Sequence, residues 1–242
     1  MTERAVMATV AGRRPFRARL AQPPSGPGQF PVIAFGHGFA QHAHRYDSLL
    51  TGLAGRGYIV IAPDSQTGPF PSHSRLADDL WRAVEWARTE VEGADPELAV
   101  VAGHSMGAGA ALLASTRHPD VRAIVTLAAL DTRPSVATAI RGLRAPGLFV
   151  VGSRDRIVPP ARTRTLYAAK PAPARWVSIT GGYHCGFCDS TSFRGVGCDE
   201  GAITREAQLA LVAEVVGGWL DETLKRASAH PSPEGVVVEQ RG

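Results

Sequence analysis

The sequence predicts an α/β protein, a single domain with a mostly parallel central sheet and helices on both faces. Three observations carry that prediction. Five short runs are apolar without alternation, as strands covered on both sides are. Between them lie stretches whose apolar residues recur about every 3.6 positions, the mark of helices with one buried face. No internal repeat and no linker interrupts the alternation, so it reads as one unit of the 242-residue chain.

In chain order, Ala5 to Val10 and Phe16 to Leu20 alternate and are joined by Gly12-Arg13-Arg14, which predicts an N-terminal hairpin. Pro23 to Gly28 is a Pro/Gly-rich turn. The continuous apolar runs are Phe30 to Phe35, Tyr58 to Ala62, Ala99 to Ala102, Ala123 to Leu127 and Leu148 to Val151, followed by a late strand at Trp176 to Ile179. Helices are expected at Tyr46 to Arg56, Leu76 to Val91, Gly107 to Thr116 and Thr204 to Arg226. The catalytic domain is therefore placed at residues 1–226. From Ala227 onward Ser, His, Pro, Glu and Gly dominate, which predicts a flexible C-terminal tail over 227–242.

Composition excludes several classes. The chain is 44% hydrophobic and 20% charged, so it has the material for a core and is neither disordered nor collagen-like. Its 26 Lys+Arg against 22 Asp+Glu leave a formal charge of +4 without any basic cluster beyond pairs, which offers nucleic acid no footprint. No run is apolar enough to span a membrane. Glu3, Arg4, Arg13, Arg14, Arg17 and Arg19 occupy the place where a secretory leader would have its apolar core, so no signal peptide is read. A cytoplasmic protein and a secreted one whose leader has been removed both fit, and a monomer is expected.

The most informative segment is Val100-Val101-Ala102-Gly103-His104-Ser105-Met106-Gly107-Ala108-Gly109-Ala110, an apolar strand running through G-x-S-x-G into an Ala/Leu helix. That context is a nucleophile elbow. The turn presses the residues two before and two after the serine against backbone, which only glycine tolerates; hence Gly103 and Gly107. Ser105 is the expected nucleophile.

With Gly36-His37-Gly38-Phe39, the run Gly152-Ser153-Arg154-Asp155-Arg156-Ile157-Val158-Pro159 and Gly182-Tyr183-His184-Cys185, the chain resembles the α/β-hydrolase family over roughly residues 5 to 226. More narrowly it is similar to small lidless serine esterases of the cutinase-like, polyester-hydrolase, chlorophyllase-like and dienelactone-hydrolase-like kinds. The resemblance implies the α/β-hydrolase fold without a cap domain, and the order Ser, Asp, His.

The chemistry needs such a set, because a serine hydroxyl requires an imidazole to take its proton and a carboxylate to hold that imidazole's tautomer. His184 follows the late strand and a Gly-Gly turn, on a loop that can overhang Ser105, and is the expected base. The acid is expected at Asp155, on the acid-bearing turn of similar proteins, with Asp131 after Leu127 to Leu130 as the alternative. The resemblance supplies an oxyanion hole from the backbone N–H groups of Phe39 and Met106. Expected apolar walls are Phe39, Phe70, Met106, Leu130, Ile157, Val158 and Phe187. Leu130 stands where several polyester hydrolases have tryptophan, which weakens stacking on an aromatic polymer.

Cofactors and metals are not expected. His42 and His44 have no third ligand at suitable spacing, and a zinc site built on Cys185, Cys188, Cys198 and His184 would consume the base. The resemblance, in which a similar His-Cys is followed by Cys-Asp, implies a Cys185–Cys198 disulfide; Cys188–Cys198 and a fully reduced trio remain open.

Only fifteen residues separate Leu130 from Pro146, too few for a lid, so an open cleft is expected. The expected function is a serine carboxylester hydrolase acting through an acyl-enzyme on short- to medium-chain acyl esters, with small-molecule or polymeric esters as partners. The alternatives are another chemistry on this scaffold (amidase, lyase or perhydrolase) and a non-catalytic binding module.

Overall fold

A computed structural model describes residues 2–10, 14–24, 28–190, 198–225, 227–228 and 231–242. Of the expected turns, Gly12 and Arg13 in the first hairpin and Ser25 to Pro27 in the Pro/Gly stretch lie outside these residues.

Among the described residues nine strands form one sheet. They are β1 (Thr2–Ala8), β2 (Phe16–Gln22), β3 (Phe30–Gly36), β4 (Ile59–Pro63), β5 (Ala94–His104), β6 (Val121–Leu127), β7 (Gly147–Gly152), β8 (Ala174–Ile179) and β9 (Val236–Arg241). Their spatial order is β1-β2-β4-β3-β5-β6-β7-β8-β9. The block from β4 through β8 is parallel, while β1, β2 and β9 join antiparallel at the two edges. The α-helices are α1 (Asp47–Gly55), α2 (His73–Glu90), α3 (Met106–Arg117), α4 (Pro160–Ala169) and α5 (Arg205–Leu224).

The unbroken apolar runs are explained by two cores, one on each face. Along β3, Val32 and Ala34 join one core, whereas Ile33 and Phe35 join the other. The same alternation sends Ile59 and Ile61 of β4 one way and Val60 and Ala62 the other. Side chains of α2, α3 and α4 cover the first face, and those of α1 and α5 the second. This is the α/β-hydrolase arrangement that the sequence implies.

Two elements depart from expectation. Helix α4 lacks a clear apolar stripe, burying only Thr163, Leu166 and Tyr167; Pro160 in its first turn presets the backbone for it. The expected flexible tail is corrected over 236–241, which pairs with β8 in register from Val236 opposite Ile179 to Arg241 opposite Ala174. Val236, Val237 and Val238 favour the extended chain, and the Arg241 guanidinium reaches the carbonyls of Tyr167 and Lys170 at the end of α4. Composition hid this strand because the polar residues before it outweigh its short β-branched run.

Between Leu130 and Pro146 the chain forms only a 3-10 turn at Ala139–Gly142, and among the described residues no cap domain covers the carboxyl edge of the sheet. No helix among the described residues is long and apolar enough to cross a membrane.

Candidate active site

Ser105 sits between the end of β5 and the first residue of α3 with φ 54° and ψ −115°, a conformation that costs an L-residue energy and persists only where its surroundings impose it. Here the imposition is visible. The Ser105 N–H donates to the Leu127 carbonyl at 2.8 Å, and the Ser105 carbonyl accepts from Gly109 at 3.2 Å and Leu130 at 3.3 Å. The two flanking glycines are obligatory: a Cβ on Gly103 would lie 2.4 Å from the Gly107 carbonyl carbon, and one on Gly107 would lie 2.1 Å from the Gly36 oxygen. Thus the elbow packs directly on the strand end that leads into the Gly36-His37-Gly38 turn.

His184 begins a 3-10 turn, His184–Phe187, beyond β8, and its Nδ1 lies 2.7 Å from Oδ2 of Asp155, which follows β7. The other carboxylate oxygen of Asp155 accepts the N–H groups of Ile157 at 3.0 Å and Val158 at 2.7 Å. This side chain is fully buried with both oxygens occupied, so the carboxylate is held in one orientation. A proton on Nδ1 donated to Asp155 leaves Nε2 of His184 as the ring's acceptor.

Asp131 is engaged elsewhere. Its Oδ1 accepts from the N–H groups of Thr132 at 2.8 Å and Val136 at 2.9 Å, and its Oδ2 from the Ser135 hydroxyl at 2.6 Å. The carboxylate organises its own exposed loop.

Beneath the site lies a polar cluster that the sequence did not announce. The Tyr46 hydroxyl accepts the Gly38 N–H at 2.9 Å and is hydrogen-bonded to Nδ1 of His104 at 2.9 Å. The His104 ring packs 4.5 Å from that of His184 and 5.4 Å from Phe187, centroid to centroid. Burial, assisted by the neighbouring His184, drives the pKa of His104 well below that of an ordinary histidine, so its ring is neutral. Burial likewise pushes the Tyr46 hydroxyl up, with Cys188 adding to the effect. The signal for this cluster was the x-position histidine of the elbow, but a partner 58 residues upstream has no local signature.

The expected walls divide. Phe70 is 96% exposed, Phe39 54% and Ile157 41%, each on a loop leaving the carboxyl end of a strand, and Leu130 is half-buried. Met106, Val158 and Phe187 are corrected: their side chains lie in the two cores, and Phe187, with 0% exposure, presents nothing to a cleft. An apolar residue near a motif reads the same in sequence whether it faces the cleft or supports it.

Cys185 and Cys198 form a disulfide with Cα atoms 5.7 Å apart, and Cys188 is a buried free thiol. Burial raises the Cys188 pKa to about 11, with its Sγ 3.8 Å from His104 Nδ1. Nδ1 of His42 lies 3.0 Å from Asp64, while its ring stacks on that of His44. Among the described residues no group of three or more His, Cys, Asp or Glu side chains is arranged to hold a metal ion.

Comparison with known proteins agrees with this architecture. The serine aminopeptidase S33 family matches residues 29–140, which include the Gly36-His37-Gly38 turn and the elbow. The chain is 32% identical to chlorophyllase-1 of Citrus sinensis over 103 residues, covering 39% of this chain and 31% of that protein. It is 35% identical to a putative non-heme haloperoxidase of Mycobacterium phage D29 over 91 residues, or 36% of this chain and 31% of the phage protein. A third relative, chlorophyllase-1 of Arabidopsis thaliana, is 28% identical over 102 residues. The chain thus spans about a third of the length of the curated relatives it matches. With its sheet order and its serine elbow the chain has the α/β-hydrolase fold, and over part of its length it is similar to the S33 family and to these relatives.

Proposed function

We propose that the protein is a serine carboxylester hydrolase that cleaves short- to medium-chain acyl esters through an acyl-enzyme. The observation that carries this reading is the 2.7 Å hydrogen bond between buried Asp155 and His184, on loops at the same sheet edge as the strained Ser105 turn. In this reading His184 Nε2 takes the Ser105 hydroxyl proton as Oγ attacks the ester carbonyl. Asp155 steadies the imidazolium that results. The N–H of Met106, at the N-terminus of α3, and that of Phe39 receive the oxyanion. His184 then returns its proton to the leaving alkoxide, the alcohol departs, and water activated by the same histidine releases the acid.

The ester class is supported by the uncapped carboxyl edge and by exposed Phe39, Phe70 and Ile157, which offer an acyl chain an apolar surface without enclosing it. Such a surface also admits polyesters. The test is a panel of p-nitrophenyl esters of rising chain length beside amides, a peroxide-dependent halogenation assay and a polyester film, run with wild type and Ser105→Ala. Ester turnover that disappears in Ser105→Ala supports the reading. Turnover confined to amides or to the peroxide assay overturns it.

A further inference from the structure

Asp199 ties together the two loops that carry Asp155 and His184. Its Oδ2 accepts the N–H of His184 at 3.0 Å and the N–H of Arg156 at 3.0 Å, and its Oδ1 accepts the N–H of Cys185 at 3.0 Å. One carboxylate therefore grips the backbone of the predicted base and the backbone immediately after the predicted acid. Charge-assisted hydrogen bonds of this kind are the stronger sort. Upstream, the same two loops are tied through Arg154 N–H to the Gly182 carbonyl at 2.8 Å and Gly181 N–H to the Ser153 hydroxyl at 2.9 Å. Asp199 makes the corresponding tie on the downstream side.

Capping alone does not explain the arrangement. A residue that merely satisfied the first N–H groups of the 3-10 turn at His184–Phe187 would need only His184 and Cys185. The bond to Arg156 crosses to a different loop. Asp199 is also anchored covalently, since Cys198 beside it is joined to Cys185, the neighbour of His184. The disulfide fixes Asp199 to the histidine loop, and the carboxylate carries that fixture across to the Asp155 loop.

We propose that Asp199 is a positioning residue that holds Asp155 and His184 in register. The proposal rests on the serine-hydrolase reading above. The distance at stake is the 2.7 Å Nδ1 to Oδ2 contact, which two independently moving loops would not keep. Misplacement of a reacting group by about an ångström can cost about a hundredfold in rate. Asp199→Asn keeps one oxygen, able to serve Arg156 and His184 together, and turns an amide donor toward the Cys185 N–H; Asp199→Ala keeps nothing.

The experiment measures kcat and KM for p-nitrophenyl butyrate, the rate and final extent of fluorophosphonate labelling, and thermal unfolding, in wild type, Ser105→Ala, Asp199→Asn and Asp199→Ala. The expected result is a kcat per labelled site lowered about ten- to a hundredfold in Asp199→Ala with KM little changed. Labelling should slow in parallel yet still reach completion, and Asp199→Asn should fall between. A purely structural role would instead lower the labelled fraction and the unfolding temperature while leaving kcat per labelled site as in wild type, and that result overturns the proposal. If Asp199→Ala does not fold, Asp199→Asn decides by the same criterion. Ester turnover retained in Ser105→Ala, or wild type that resists labelling, marks failure of the hydrolase reading and takes the proposal with it; a dead Ser105→Ala beside undiminished Asp199 variants defeats the proposal alone.

Discussion

The Tyr46 hydroxyl lies 2.9 Å from Nδ1 of His104 while accepting the Gly38 N–H at the same distance, so one phenol links the residue before Ser105 to the residue before Phe39. The predicted nucleophile and one predicted oxyanion donor are thus each one peptide away from a shared, fully buried oxygen. Tyr46→Phe leaves a buried N–H and a buried ring nitrogen without this partner, at a cost of about 1–3 kcal/mol for each group so stranded. The expected outcome is a folded variant with a lower denaturation midpoint and a reduced kcat, measured by urea unfolding and ester turnover on the same preparation.

The two aspartates should respond differently. Asp155→Asn removes the acceptor that sets the His184 tautomer and is expected to lower kcat by about 10⁴-fold, whereas Asp131→Asn disturbs only its own exposed loop and should leave kcat nearly unchanged. Steady-state kinetics on the pair checks this. A crippled Asp131→Asn beside a mild Asp155→Asn would reassign the acid.

The Cys185–Cys198 bridge, with a sequence separation of 13, should contribute about 3 kcal/mol by restricting the unfolded chain. Reduction is expected to lower the melting temperature, and to lower activity at temperatures where the fold persists. Non-reducing peptide mapping tests the pairing. Cys188, buried and with its pKa raised to about 11, should resist iodoacetamide in the native oxidised protein and react once it is denatured.

Gly107 and Gly52 offer a contrast within one chain. A Cβ at Gly107 meets the Gly36 oxygen at 2.1 Å, backbone against backbone, so Gly107→Ala should destabilise by about 3 kcal/mol or more and abolish soluble expression or activity. At Gly52, inside α1, a Cβ meets nothing within 4 Å. Gly52→Ala should stabilise by about 0.5–1 kcal/mol. Thermal melts of the two variants separate a packing glycine from a dispensable one.

Lys170 provides a pH test. Burial, helped by Arg241, lowers its pKa to about 8, and its Nζ donates to the carbonyls of Pro171 at 2.8 Å and Pro173 at 3.1 Å. Between pH 8 and the usual lysine pKa of about 10.4 the unfolded chain holds a proton that the folded protein has released, so this group's contribution makes stability rise with pH across that window. Lys170→Met should remove that rise. Subtracting the stability profiles of variant and wild type isolates this group's contribution.

The elbow was legible because its determinants are local. A strand, two glycines four residues apart and a helix-forming run sit within eleven residues, and they specify the tight turn on which Ser105 has its positive φ. The parallel core strands were legible for a similar reason, since burial on both faces writes itself into each run separately. The preference for Asp155 over Asp131 rested on resemblance, because both follow strand ends, and only the packing of β7 beside β8 brings Asp155 to His184 across 29 residues of chain. Asp199 lay further out of reach: an aspartate among loop residues has no pattern, and its meaning appears only when the disulfide and two loops place three backbone N–H groups around it. Likewise Phe187 and Phe70 are both apolar loop residues, yet one is buried against His104 and the other is open to solvent. Local steric rules travel with the sequence, whereas hydrogen bonds and packing between distant segments exist only once the sheet has assembled.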